Sequence, residues 1–275
     1  MRFCGGVVAA FVGLAALGAS AQAQVPEVRI SVVPEFTGVQ PGSGLRIAVR
    51  LEVPEGWHIG WVNPGAGGLP TTITWRLPAG LRDGGTEWPY PETDETGGEV
   101  SHVYRGAVVV FSSFEAQQDA AGPLDLSADL SWGMCKAVCV PQHRTVRVAV
   151  AAARGTTQRT SDWAEMEAAR YRLPLRHTEA RFAAKAGNGG IELTVTGLRG
   201  GPAPGTWVTF FPLEPRQGSV VAQAREAPGG IAVTLPGAAA SGASADRLAG
   251  VLVAAHPPGL PPPVRALAVD VPIAK

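Results

Sequence analysis

The chain has 275 residues, with 23 basic and 23 acidic side chains and three cysteines. Equal charge without a long run of either sign excludes the electrostatic footprint of a nucleic-acid binder and a polybasic membrane patch. The length suits two domains of about 100 to 150 residues each, large enough for hydrophobic cores to hold them without covalent staples.

The first residues carry Arg2, an apolar run over 7–17, and the small-residue stretch Ala19-Ser20-Ala21-Gln22-Ala23. This is the pattern of a secretory signal peptide, with cleavage expected after Ala23 and Ala21 as the second candidate. The run is shorter than the roughly 20 apolar residues needed to cross a bilayer, and no later stretch approaches that length. An exported, soluble protein of the bacterial periplasm, without stable membrane insertion, is expected. Cys4 precedes the apolar run and leaves with the peptide, so the mature chain keeps Cys135 and Cys139 in a compartment where disulfides persist.

Beyond the signal, Gly- and Pro-rich sequence with period-two alternation predicts short strands joined by turns. The clearest are Leu45-Ile47-Val49-Leu51-Val53 and Leu124-Leu126-Ala128-Leu130-Trp132, each alternating with polar or small residues. Strands are also expected over 28–36, 71–77, 107–114 and 145–150, completing a sandwich-like domain over 24–152. A helix is expected from Asp162 to Tyr171, with Asp162 and Glu165 at capping-box spacing and Pro174 ending the pattern, inside a connector over 153–176. A second sandwich over 177–275 follows, with strands through Ile191-Leu193-Val195, 206–213, 231–235, 251–255 and 264–271, and loops over 238–245 and 257–263. The predicted fold class is all-β: two immunoglobulin-like β-sandwich domains joined by a short helical connector.

Chemistry concentrates in Ser131-Trp132-Gly133-Met134-Cys135-Lys136-Ala137-Val138-Cys139-Val140-Pro141. A bridge between cysteines so close in sequence requires the backbone to turn, because their Cα atoms must come within about 7 Å. So small a ring stabilises a fold by only about 2 kcal/mol in the chain-entropy treatment, which makes a weak staple. Redox exchange needs a reachable thiolate and a nearby second thiol to resolve the mixed disulfide, and the spacing supplies the second. Lys136, His143 and Arg144 can favour the thiolate electrostatically. Three readings stay open on spacing alone: redox exchange, a structural disulfide in a non-catalytic binding sandwich, and a copper-binding or copper-tolerance module using the soft set Met134, Cys135, Cys139 and His143.

Other chemically suggestive residues have plainer readings. Trp57, Trp61, Trp75 and Trp88 fit core or loop anchors better than a sugar platform. His58 and His102 have no partnered nucleophile nearby in sequence and read as structural histidines. Asp94, Glu95 and Glu99 read as a solvated loop.

The run from Gly56-Trp57-His58-Ile59-Gly60-Trp61-Val62-Asn63-Pro64-Gly65 through Gly68-Leu69-Pro70, Trp75-Arg76-Leu77-Pro78-Ala79-Gly80-Leu81, Trp88-Pro89-Tyr90-Pro91 and Tyr104-Arg105-Gly106 to the cysteine segment resembles the N-terminal periplasmic domain of DsbD and ScsB thiol:disulfide interchange proteins. The second half is similar to the following region of ScsB-type proteins through Phe210-Phe211-Pro212-Leu213-Glu214-Pro215 and Leu248-Ala249-Gly250-Val251-Leu252-Val253. The resemblance implies an immunoglobulin-like fold that takes electrons from a membrane-embedded thiol reductase and reduces oxidised periplasmic clients, thioredoxin-fold or other. It implies that Cys139 attacks the client, that Cys135 resolves the intermediate, and that no cofactor is needed. Full-length relatives carry transmembrane and thioredoxin-like domains; a stand-alone module that borrows its electrons is the expectation here. The family's shielding cap, acidic residues followed by an aromatic one, corresponds to Asp94-Glu95-Thr96-Gly97-Gly98. Thr96 stands in place of the ring, leaving Tyr90 or Tyr104 to supply it and Asp94 and Glu95 to tune the thiols.

Overall fold

The computed structural model describes residues 25–96, 99–176, 179–199, 202–213, 219–236, 246–254 and 266–274. The expected signal peptide and the expected loops over 238–245 and 257–263 lie outside the described residues. No helix among the described residues is long and apolar enough to cross a membrane.

The first set of strands is β1 (Arg29–Pro34), β2 (Gly38–Val39), β3 (Gly44–Glu52), β4 (His58–Gly65), β5 (Thr72–Arg76), β6 (Leu81–Glu87), β7 (Glu92–Thr96), β8 (Glu99–Tyr104), β9 (Ala107–Ala116), β10 (Pro123–Cys135) and β11 (Cys139–Ala152). They form one sheet in the order β1-β3-β9-β6 and another in the order β2-β11-β10-β4-β8-β7, with β5 also paired to β10. Alternation explains how the sheets face each other. Leu45, Ile47, Val49 and Leu51 of β3 and Leu124, Leu126, Ala128, Leu130, Trp132 and Met134 of β10 are all buried, and their polar neighbours in sequence point outward.

The predicted helix is α1 (Trp163–Ala169), continued by a 3-10 turn over Arg170–Arg172. The expected capping box does not form. Asp162 makes no side-chain cap; it accepts a hydrogen bond from the Ser161 hydroxyl, while Glu165 pairs with Arg50 on β3. That ion pair tethers the helix to the sheet and draws Glu165 away from the helix start. Trp163 and Met166 pack on Val33, Ala48, Val109 and Phe111, so the segment expected to be a connector forms a third layer on the outer face of the β1-β3-β9-β6 sheet.

The second set is β12 (Arg181–Gly187), β13 (Gly190–Thr196), β14 (Trp207–Pro212), β15 (Val220–Gln223), β16 (Arg225–Ala227), β17 (Gly230–Leu235), β18 (Arg247–Ala254) and β19 (Ala266–Ala274), hydrogen-bonded in the order β15-β14-β18-β19-β12-β13-β17-β16. Leu193, Val208, Phe210, Val233, Leu235 and Leu252, drawn from both halves of this path, share one core, so the sheet closes on itself in a sandwich-like arrangement. The all-β class expected from the alternation is the class observed.

The two sets also share a core. Phe211, Val251 and Ala266 of the second pack with Trp61, Tyr104 and Ile59 of the first. Leu175 joins them by exchanging backbone hydrogen bonds with Ala266 and Ala268.

Candidate redox site

Every residue of β10 pairs with β11, from Pro123 opposite Ala151 to Cys135 opposite Cys139. The two strands therefore end together at a three-residue turn, Lys136-Ala137-Val138, and the last rung is a disulfide with Cα atoms 4.0 Å apart. Strand β11 starts at Cys139, six residues before the expected strand, because Pro141 and the paired cysteines read as loop in sequence although their backbone continues the ladder.

The two sulfur-bearing residues differ in access. Cys135 is 3% exposed, whereas Cys139 is half-buried and its neighbours are open: Val138 is 73% and Val140 37% exposed. The tip thus presents a short apolar rim with Lys136 beside it.

Register fixes what surrounds Cys135. Met134 lies opposite Ile59 of β4 and Cys135 opposite His58. Residues directly opposite one another share a sheet face, with Cβ atoms about 4.5–5.5 Å apart. Ile59 and Met134 face the core, so Cys135 and His58 share the outer face. One position further along the same pairing come Gly133 and Gly60, and Leu69 lies over both. A Cβ at Gly133 would sit 2.9 Å from the Leu69 Cβ, and one at Gly60 would sit 2.3 Å from the Leu69 carbonyl oxygen. The glycines make a flat trough that lets the segment after β4 cross the sheet next to Cys135.

On the other side of His58, Tyr104 pairs with Ile59, so Arg105 follows at the level of His58. Arg105 is ion-paired with Asp94 on β7 and lies 3.6 Å from Glu92. Burial holds the His58 imidazole pKa below its ordinary value; Asp94 opposes that shift and Arg105 adds to it.

The expected cap segment is placed differently from a loop. Asp94 and Glu95 sit in the β7-β8 hairpin, opposite Ser101 and Val100, and Gly97 and Gly98 lie outside the described residues. Tyr104 points into the core on the face opposite the disulfide, where its hydroxyl donates a 2.6 Å hydrogen bond to the Pro89 carbonyl and burial raises its pKa well above the ordinary range. Tyr90 packs on the core with the Arg172 guanidinium 5.4 Å from its ring centre.

The soft-ligand set is not brought together. Met134 faces the core, and both sulfurs of the pair are engaged with each other. His143 lies opposite Ser131, four rungs from the disulfide, or roughly 13 Å along the strand. Among the described residues no group of three or more His, Cys, Asp or Glu side chains is placed to hold a metal. Trp61 is buried, and Trp57, Trp75 and Trp88 pack against the core, as anchors do. His102 is buried, 2.8 Å from the Asn63 carbonyl and edge-on to Trp61 and Phe211.

Residues 27–150 match the family described as the N-terminal region of the thiol:disulfide interchange protein DsbD. Over this segment the chain is similar to that family. Among solved structures, the N-terminal periplasmic domain of ScsB from Proteus mirabilis aligns over 89% of this chain and 93% of its own length, with TM-score 0.55 and 18% identity. The DsbD N-terminal domain of Neisseria meningitidis in the reduced form aligns over 46% of this chain and 89% of its own, with TM-score 0.27 and 18% identity. No curated protein matches the chain. The alignment to ScsB extends through the second set of strands, beyond the DsbD N-terminal domain itself, and so shares the two-part fold.

The sequence locates both cysteines. His58, Leu69 and the Gly60/Gly133 trough are brought beside Cys135 by the pairing of β4 with β10, which joins residues about eighty positions apart and leaves no local pattern.

Proposed function

We propose that this protein is a periplasmic thiol:disulfide exchange protein, cycling Cys135 and Cys139 between dithiol and disulfide. The observation that carries the reading is the unequal access of two bonded cysteines at an exposed hairpin tip of a DsbD N-terminal domain. In the reduced form, the open Cys139 attacks one sulfur of a client disulfide as thiolate, and the other client sulfur leaves and takes a proton. Cys135 then attacks the Cys139 sulfur, expelling the second client thiol and restoring the disulfide. The client gains two electrons and two protons. A membrane-embedded thiol reductase returns the electrons by the same exchange in reverse, and oxidised periplasmic proteins, thioredoxin-fold or other, are the clients. Exchange of this kind needs no cofactor. On this reading residues 24–152 form the redox domain, 153–176 the connector with its short helix, and 177–275 the second β-sandwich domain.

The test is the reduction potential of the pair in the mature protein, by equilibration with glutathione buffers and thiol trapping. A couple between about −180 and −270 mV supports relay, whereas one below about −300 mV identifies an inert structural bridge. Cys135→Ser should accumulate mixed disulfides through Cys139, and Cys139→Ser should abolish transfer. Accumulation in the reverse pattern would exchange the two roles.

A further inference from the structure

His58 is the residue opposite Cys135 on the adjoining strand, on the same outer face, and it is half-buried at the margin of the site. The groups facing it are Cys135 on β10, Asp94 on β7 and Arg105 just past β8, with Glu92 held to Arg105 from behind. In sequence it is flanked by exposed Glu55 in the preceding turn, while Lys136 follows Cys135 in the hairpin tip. With Arg105 engaged by Asp94 and Glu92, the imidazole is the proton-accepting group nearest along the ladder to the enclosed cysteine.

Enclosure makes this matter. A thiol kept from water is disfavoured as thiolate, and only the thiolate attacks. Cys139 can lose its proton to solvent, but Cys135 is closed over and must lose its own at the moment of resolution. From this juxtaposition, and resting on the exchange reading above, we propose that His58 is the proton acceptor for Cys135 in the resolving step. An imidazole nitrogen takes the Cys135 thiol proton. As the proton leaves, the Cys135 sulfur bonds to the Cys139 sulfur, the bond from Cys139 to the client breaks, and the departing client thiolate takes the proton from the imidazolium. Two electrons pass to the client disulfide, and His58 ends as it began.

The experiment uses the reduced mature protein and an aromatic disulfide, 5,5′-dithiobis(2-nitrobenzoate), followed by stopped flow. The first thionitrobenzoate reports attack on the probe, and the second reports resolution by the partner thiol, with a rate independent of probe concentration. A free thiol of pKa about 8.5 is some 3% thiolate at pH 7 and an enclosed one is less, so without the base the variant must rely on that small fraction. His58→Gln, which keeps a polar side chain at a half-buried strand position, should slow the second phase relative to the first by roughly 5- to 30-fold at pH 7. The parent's second phase should level off above the histidine's titration, below pH about 6.5, whereas the variant's should keep rising with pH toward the thiol's own pKa. A variant whose second phase matches the parent at every pH overturns the role of His58. A reduced parent that never releases a second equivalent overturns the exchange reading itself.

Discussion

The Asn63 side-chain amide donates a 2.8 Å hydrogen bond to the Pro212 carbonyl, joining β4 of the first set of strands to β14 of the second. Asn63 is fully buried, and its side-chain oxygen also accepts the Gly65 amide. Asn63→Ala leaves the Pro212 carbonyl buried without that donor, a loss of about 1–3 kcal/mol. Urea unfolding should show a lower midpoint, and an unchanged midpoint would mean that the contact contributes nothing to holding the two parts together.

Gly133 admits Leu69 because it has no Cβ. Gly133→Ala must push the Leu69 side chain off the outer face, with an overpacking cost of about 1–3 kcal/mol. Cys135 then becomes more accessible, so glutathione should reduce the disulfide faster in the variant than in the parent. Thiol trapping over time measures this, and equal rates would show that Leu69 does not shield the site.

Stability should depend on pH through two histidines. His102 has its pKa lowered by burial, partly offset by its bond to the Asn63 carbonyl, and His58 is lowered by burial and Arg105 against the pull of Asp94. The unfolded chain therefore takes up protons first as pH falls. Stability is fully present above about 6.5 and declines as pH drops from there toward the folded-state values. Replacing His102 by Phe keeps a ring between Trp61 and Phe211 and should flatten the fall in Tm between about pH 7 and pH 5. A variant whose Tm tracks the parent's across that range would show that His102 does not couple to folding.

Trp163 has no exposed surface and meets Phe111 edge-on, with ring centres 5.8 Å apart. A seven-residue helix has no independent stability in water, so α1 exists because this side chain docks. Trp163→Ala should cost about 3–5 kcal/mol and release the helix, lowering the denaturation midpoint and increasing proteolysis within 153–172. Retained protection would place the anchor elsewhere.

How far the sequence revealed all this depends on what each strand touches. β3 and β10 each have one face in the core and one in solvent, and their alternation is plain. β4 is covered on both sides, by the core at Ile59, Trp61 and Asn63 and by the Leu69 segment at Gly60, so its residues show no simple period. β6 and β7 lie at sheet edges and are mostly exposed, which erases the apolar signal altogether. The cysteines were legible because their chemistry is local. Asp94 is marked out through the resemblance alone, and its grouping with His58 and Arg105 was not legible, since only cross-strand register assembles them. The capping-box spacing misled because Arg50, more than a hundred residues away in sequence, competes for Glu165.

The long β10-β11 ladder has one more consequence. Its thirteen rungs hold the hairpin shut whether or not the last one is covalent, and cutting a ring this small frees little chain entropy, about 2 kcal/mol in the loop-closure treatment. On the exchange reading proposed above, the pair can therefore pass between disulfide and dithiol while the ladder beneath it stays closed. The same reading then requires a partner to tell the two states apart by sulfur chemistry at the tip, not by shape.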